Sequence, residues 1–157
     1  MSTNKGMSYH EDELTRLALR AEPFPRASPD PSALREAVLA NRAYRRVLRT
    51  DIDSRARAAR VQQVAMYLPH GERLGWETHA TTSQLFVVVA GTGSALLGPQ
   101  PNASSARSFP LAPGSTWVVE PGTYHDVLAN GAAGETLALF TVYVPAQHEY
   151  GEVNDHP

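Results

Sequence analysis

The sequence predicts an all-β protein, an antiparallel sandwich or barrel with a short helical extension at its N-terminus. About eight short apolar segments, rich in β-branched residues, follow one another from residue 61 and are separated by Gly, Pro and Asn. Closely spaced strands with frequent turn signals are typical of antiparallel sandwiches and barrels. The composition changes at the same point, because residues 1–60 carry 12 basic and 8 acidic side chains and residues 61–157 carry 2 and 8.

Length and composition limit the kind of protein. A chain of 157 residues that is 42% hydrophobic suffices for one domain with its own core. No apolar run approaches the roughly 20 residues of a membrane span, and the polar N-terminus does not resemble a secretory signal. The absence of cysteine excludes disulfides and thiolate zinc sites, and a net charge of −2 gives no reason to expect nucleic acid. We therefore expect a cytoplasmic protein without membrane or nucleic-acid partners.

The first 40 residues are expected to form a helical, proline-rich extension, and residues 41–157 the β domain. A capping box at Ser8 and Glu11 predicts a helix from about Ser8 to Ala21. Four prolines between positions 23 and 31 end it, and Pro31 can open a second helix that runs to about Leu39. Residues 41–48 either continue this helix or begin the first strand.

The strands that follow are bounded by turn residues. Pro69 and Gly71 end the first of them, and Pro145 ends the last. Asn130 and Gly131 form a hairpin signal ahead of the last strand. The predicted strands cover residues 61–68, 85–89, 94–97, 109–111, 117–119, 124–128 and 137–144.

Two motifs carry a resemblance to a known family. The first runs from Gly75 through Trp-Glu-Thr-His to Gly91, and the second from Gly114 through Glu-Pro-Gly-Thr-Tyr to His125. Their spacing resembles the two motifs of the cupin superfamily, and Tyr143-Val-Pro-Ala-Gln-His further resembles a bacterial single-domain cupin group. The resemblance covers about residues 41–154. It implies an antiparallel jelly-roll β-barrel and a homodimer.

The resemblance also implies a metal site with an exchanged ligand set. Aligned by the glycines, Glu77 stands at the first histidine of the family motif, His79 at the second, Gln84 at the glutamate, and His125 at the histidine of the second motif. A carboxylate and a neutral ligand have traded places, so the ligand charge remains −1. Two imidazoles, a carboxylate and an amide oxygen suit a divalent transition metal such as Fe, Mn, Ni, Zn or Co.

Strand geometry is compatible with this ligand set. Alternation along a strand points Glu77 and His79 to the same side. A turn between Ala80 and Ser83 would bring Gln84 to that side as well.

Four further residues are expected to line the pocket: Gln63, Phe86, Trp117 and Tyr143. His148 is expected to have a structural role or to contact the metal ligands without binding the metal itself. His70 is expected to lie solvated in a turn.

The arginines are concentrated near the boundary between the two segments. Seven of them lie between positions 42 and 60, and we expect a solvated or inter-subunit face there. The β domain itself has only Arg73 and Arg107, which counts against a sugar phosphate unless Arg45 or Arg46 folds across the mouth.

The function expected from these features is that of a metal-dependent enzyme acting on a small oxygenated metabolite. The reaction would be a dioxygenation, or an isomerisation or lyase reaction through an enolate. The alternative is a non-catalytic cupin that binds a small ligand or serves regulation. A metal-free sugar-binding barrel is the corresponding alternative for the polar residues of the motifs.

Overall fold

The computed structural model describes residues 31–53, 58–149 and 151–156, so the helix predicted for residues 8–21 lies outside it. One helix, α1, spans Pro31–Ala40 and begins with proline, as predicted. Nine strands follow: β1 Arg45–Asp53, β2 Ala58–Pro69, β3 Ser83–Ala90, β4 Gly93–Gly98, β5 Arg107–Leu111, β6 Thr116–Val119, β7 Tyr124–Leu128, β8 Thr136–Val144 and β9 Val153–Asn154. The all-β class is confirmed, and residues 45–48 belong to a strand rather than to the helix. Within the described ranges, no helix is long and apolar enough to span a membrane.

The strands form two antiparallel sheets. The larger has the order β6-β3-β8-β2-β1-β9, and the smaller the order β5-β4-β7. The loop between β2 and β3 extends the smaller sheet, because it forms bridges to β7 at Arg73–Leu128 and Glu77–His125. Among the described residues, the strand pairs do not join the two sheets into a closed ring. The architecture is that of an antiparallel jelly roll.

The hairpin predicted around Asn130 and Gly131 is wrong. The strands on either side, β7 and β8, lie in different sheets, β7 beside β4 and β8 between β2 and β3. The two residues therefore stand in a crossover from one sheet to the other. A turn-forming dipeptide reports a change of chain direction, whereas the apolar face of each strand decides which sheet it joins.

Helix α1 covers the outer face of the larger sheet. Val38 is buried against Ala65 of β2 and Ala138 of β8, and Leu34 and Phe140 pack around them. The sheet therefore buries apolar side chains on both faces. The helix ends at Ala40, and β1 begins at Arg45.

The inner face of the larger sheet is layered. A polar row crosses four adjacent strands through the paired residues Thr50, Gln62, Tyr143 and Gln84. The rows below it belong to the apolar core, which includes Val64, Phe86, Met66, Leu139 and Val88. Because paired residues of neighbouring strands share a face, the register alone gathers the polar groups at one end of the interior.

Gly91, the last residue of the first motif, makes a tight turn between β3 and β4. Its φ is +78°, and a Cβ atom at this position would lie 2.1 Å from the carbonyl oxygen of Thr136. Gly71 has a similar φ of +86°, but a Cβ atom there would meet nothing within 4 Å. The motif glycine is therefore required by close backbone approach as well as by its φ.

We expect Gly91→Ala to lower the free energy of unfolding much more than Gly71→Ala. The left-handed backbone alone costs an alanine about 1–2 kcal/mol, and only Gly91→Ala adds a collision with main chain. Urea denaturation of both variants and the parent chain provides the measurement. Equal losses of stability in the two variants would contradict the proposed role of the Thr136 carbonyl.

Candidate metal centre

A pair of backbone hydrogen bonds sets Glu77 beside His125. The amide of Glu77 donates to the carbonyl of His125 at 2.9 Å, and the amide of His125 donates back to Glu77 at 2.9 Å. Residues that exchange both bonds in an antiparallel pair point their side chains to the same face. A carboxylate and an imidazole that are 48 positions apart in the sequence thus face the interior together.

Glu77 uses its two oxygens differently. Its Oε1 accepts a hydrogen bond from Nη2 of Arg45 at 2.7 Å, and its Oε2 is buried without a hydrogen-bond partner. The distance from Oε2 to Nε2 of His125 is 3.9 Å. The ion pair with Arg45 therefore fixes one oxygen and leaves the other facing the imidazoles.

His79 is held by its backbone and stands among the other candidates. Its carbonyl accepts a hydrogen bond from the amide of Gly122 at 2.8 Å, which ties the loop to the second motif. Its ring centroid lies 5.4 Å from that of His125, and its buried Nε2 has no hydrogen-bond partner. The two motif histidines converge as predicted.

Gln84 enters from the larger sheet. The chain bends at Ala80 and Thr81, and β3 begins at Ser83, so the expected turn is present. The fully buried Gln84 donates from Nε2 to the hydroxyl of Thr141 at 3.0 Å. That bond leaves its Oε1 buried and without a partner.

His125 has its tautomer set by the main chain. Its Nδ1 lies 3.3 Å from the carbonyl oxygen of Thr123, which can only accept a hydrogen bond. The proton is therefore assigned to Nδ1, and the lone pair of Nε2 faces the interior, where it has no partner. A carbonyl that orients one ring nitrogen while the other is free is the usual support of a metal-ligating histidine.

The electrostatics keep both imidazoles neutral at pH 7. Burial lowers the pKa of His125 to about 4, against the opposing hydrogen bond to Thr123 and with a further decrease from His79. Burial also lowers the pKa of His79, although the Glu77 carboxylate opposes the shift. A neutral imidazole is the form that ligates a metal.

The donor set fits a single cation. One ligand atom from each of Glu77, His79 and His125 lies within 4.8 Å of the others. Two ligands that share an ion at about 2.1–2.2 Å stand at most about 4.4 Å apart, so only a small contraction of the side chains is needed. Gln84 adds an amide oxygen, and the pattern suits a divalent transition metal.

Asp126 anchors the loop that carries Glu77, a role the sequence did not indicate. It is fully buried, forms an ion pair with Arg73 and accepts a hydrogen bond from the amide of Gly75 at 2.9 Å. Because Asp126 follows His125 in β7, it points to the opposite side of the strand. Adjacent residues thus provide one candidate ligand and the anchor of another.

Three of the four predicted pocket residues lie on the inner face. Phe86 stacks on Trp117 with centroids 4.7 Å apart and meets the edge of His125 at 5.8 Å. Tyr143 is fully buried, with its ring 5.6 Å from that of His79. Aromatic rings thus contact both imidazoles, Phe86 that of His125 and Tyr143 that of His79.

The prediction for Gln63 is wrong by one position. Val64 and Met66 belong to the inner core and Ala65 packs under the helix, so Gln63 shares the outer face with Ala65. Gln62 is the inward residue and is fully buried. Because the two glutamines are consecutive, the sequence pattern did not show which of them points to the inner face.

The buried Gln62 ties the segment after β8 to the sheet. Its Oε1 accepts hydrogen bonds from the amides of Gln147, at 3.3 Å, and His148, at 2.9 Å. Its Nε2 donates to the carbonyl of His148 at 2.8 Å and to the hydroxyl of Thr50 at 3.0 Å. One side chain thus satisfies three backbone groups and holds the segment over the polar end of the interior.

His148 consequently lies beside the site. Its ring meets the edge of Tyr143 at 4.8 Å, and its Nδ1 is 3.6 Å from Oε1 of Glu152. Burial lowers its pKa to about 4, and the Arg45 cation contributes to the shift. The sequence signal was the Tyr143-to-His148 resemblance, which did not show where the histidine points.

Arg45 departs from the solvated face predicted for the arginine cluster. Its side chain is 12% exposed, and it reaches Glu77 from strand β1 of the larger sheet. Of the two arginines that could fold across the opening of the β domain, Arg45 is the one that reaches the site. Arg46 instead donates to Asn41 at 3.1 Å, outside the interior.

The fold and the site define a jelly-roll protein with a carboxylate and two histidines converging in its interior. No family model matches the chain. The chain is 31% identical over 121 residues to uncharacterized protein L612 of Acanthamoeba polyphaga mimivirus, a match that covers 77% of this chain and 68% of that protein. The crystal structure of BH2720 from Bacillus halodurans has a TM-score of 0.71 at 25% identity, covering 86% of this chain and 92% of the other.

A cupin 2 conserved barrel domain protein from Rhodopseudomonas palustris has a TM-score of 0.51 at 21% identity, covering 67% of this chain and 62% of the other. The fold is that of this cupin barrel structure, and the chain belongs to the same family as the mimivirus protein.

We expect Gln62→Leu to release the segment around His148, whereas Gln63→Leu leaves it in place. Gln62→Leu leaves three backbone groups without their hydrogen-bond partner. Each unsatisfied buried polar group costs about 1–3 kcal/mol. Hydrogen exchange should show lost protection at the amides of Gln147 and His148 in the first variant alone. The assignment of the inner face fails if the two variants exchange alike.

Proposed function

We propose that the protein is a divalent-metal-dependent cupin enzyme that acts on a small oxygenated metabolite. Glu77, His79, Gln84 and His125 are the proposed ligands. One observation carries the proposal: each of these four side chains presents one buried polar atom without a hydrogen-bond partner. Buried polar groups in native proteins are nearly always paired, so four unpaired polar atoms on neighbouring side chains support a cation that satisfies them together.

The remaining atoms of these side chains support the same proposal. Arg45 engages the other oxygen of Glu77, Thr141 accepts from the amide nitrogen of Gln84, and Thr123 accepts from the other ring nitrogen of His125. Each contact orients its side chain so that the acceptor faces inward. Such outer partners fix ligand geometry before the metal binds.

A bound divalent ion would act as a Lewis acid toward a carbonyl or enolate oxygen of the substrate. The protein's own contribution is an aromatic and largely buried surround. Phe86, stacked on Trp117, packs against the ring of His125, and the segment held by Gln62 brings His148 against Tyr143. A low-dielectric interior strengthens every electrostatic contact made to the substrate.

Two reaction classes follow from this arrangement, a dioxygenation and an enolate-type isomerisation or lyase reaction. They differ in whether oxygen is consumed. An oxygen electrode with panels of small diketones, hydroxy acids and sugars separates them.

The proposed homodimer is tested separately by light scattering. Val118 and Val144, each 49% exposed, lie on the outer face of the larger sheet and are candidate contacts of that dimer.

We expect protein purified without an affinity tag to contain about one transition-metal ion per chain. His79→Ala and His125→Ala should each weaken metal binding by more than about 100-fold, because even outer partners of a ligand contribute 10–100-fold. His70→Ala is the matched control, since His70 is exposed in the turn after β2. Elemental analysis and competition with a metallochromic dye provide the measurements.

Metal retained by the His79→Ala, His125→Ala double variant would refute the proposed centre. A parent protein that carries no metal and recovers none from added Fe, Mn, Ni, Zn or Co would do the same. In that case a ligand-binding cupin without catalysis becomes the better description.

The role of Gln84 is tested by two opposite substitutions. Gln84→Leu should weaken metal binding, because it removes the amide oxygen. Gln84→Glu should tighten it, because a carboxylate adds charge to the ligand set and can still accept a hydrogen bond from the hydroxyl of Thr141. If both variants bind the metal as the parent does, Gln84 is not a ligand.

A further inference from the structure

Four more buried polar atoms of the described residues lack partners, and none belongs to the proposed ligand set. They are Oγ1 of Thr82, Nε of Arg45, the hydroxyl of Tyr143 and Nε2 of His148. The metal proposal does not account for Arg45 and Tyr143, because a guanidinium and a neutral phenol are hydrogen-bond donors rather than ligands for a cation. These two donors call for an acceptor.

Arg45 has donors to spare. Only its Nη2 is engaged with a carboxylate, at 2.7 Å from Glu77, and the Nε–H is buried with no acceptor. A guanidinium presents five N–H groups in a fixed fork that matches carboxylate geometry. An unsatisfied donor on a buried charged group is costly, so the free edge of Arg45 fits an incoming anion.

Tyr143 is placed so that its hydroxyl has no use inside the protein. The residue is fully buried in β8 between Gln62 and Gln84, the positions it faces on the neighbouring strands. A phenol is neutral at pH 7, so the hydroxyl is a hydrogen-bond donor. Its ring contacts both His79 and His148, which places the hydroxyl on the side of the metal centre.

We propose that Arg45 and Tyr143 form a carboxylate subsite beside the metal centre, so that the substrate is a small organic acid. His148 flanks the subsite on the segment pinned by Gln62. The inference rests on the proposed function in one respect, since the metal centre defines where the rest of the substrate lies. A single arginine and one phenol match the two oxygens of a carboxylate, whereas a phosphate has more acceptor oxygens than these two side chains serve.

The charge balance of the interior supports an anionic ligand. The fixed charges are the Arg45 cation and the carboxylates of Glu77 and Glu152. A divalent ion would leave the interior with one uncompensated positive charge. Burying net charge is unfavourable unless it is paired, and an organic acid supplies the missing negative charge.

Calorimetric titration of the full chain as purified tests this subsite. Malonate is the probe, and malonamide is its neutral counterpart. We expect malonate to bind at least tenfold more tightly than malonamide. Tyr143→Phe should weaken malonate binding about tenfold or more, the loss expected for one hydrogen bond to a charged group.

The ligand-free stability of Tyr143→Phe separates a binding role from a structural one. The hydroxyl has no partner to lose, so the variant should melt at the temperature of the parent or higher. Arg45→Met should abolish the preference for malonate, and Arg49→Met, which removes an exposed arginine of the same strand, should not. Because Arg45→Met also frees Glu77, Tyr143→Phe is the decisive variant.

Equal binding of malonate and malonamide would overturn the subsite, as would unchanged malonate affinity in Tyr143→Phe. Tighter binding of inorganic phosphate than of malonate would overturn the assignment to organic acids. Repeating the titration after chelation separates the two proposals. Tyr143-dependent malonate binding without metal supports the subsite even if the metal proposal fails, and a metal-loaded protein that ignores malonate refutes the subsite alone.

Discussion

The candidate site depends on one backbone interaction, the antiparallel pair between Glu77 and His125. Each of its two hydrogen bonds is 2.9 Å long, and together they tie the loop between β2 and β3 to β7. Together with the bridge between Arg73 and Leu128, this pair sets the register of the loop and the direction of its side chains relative to the second motif. The buried Asp126 reinforces the pair by holding Gly75 and Arg73 on the other side of the strand.

Around this pair, three of the proposed ligands give one polar atom to the protein and leave another without a partner. Glu77 gives one oxygen to Arg45, Gln84 gives its amide nitrogen to Thr141, and His125 gives one ring nitrogen to Thr123. The groups are thereby pre-oriented, so ligand binding need not reorganise them. The remaining atoms are buried without hydrogen-bond partners, which lowers the stability of the protein. Such unpaired groups usually mark a functional site.

The sequence predicted the class of fold, because turn signals and strand patterns are local, and its resemblance to the cupin motifs led to the four candidate ligands. Turn residues delimit the strands, and the two motifs place His79 and His125 by short, countable distances. It did not predict the orientation of residues whose role depends on pairing between distant strands. Arg45 crosses the mouth only because β1 lies beside β2, and His148 points inward only because Gln62 binds its backbone. The exchange of Gln63 for Gln62 has the same origin, since two consecutive glutamines leave the phase of a strand undetermined.

The polar row across the larger sheet shows that the strand register determines the site as well as the fold. Tyr143 stands between Gln62 and Gln84 solely through the alignment of β8 with its two neighbours. A slip of that strand by one residue would turn the phenol outward and bring an aliphatic valine to the centre, while most main-chain pairing survived. A misaligned chain of this kind could remain compact and yet be inert, so chemical competence would be a stricter gauge of correct folding than compactness.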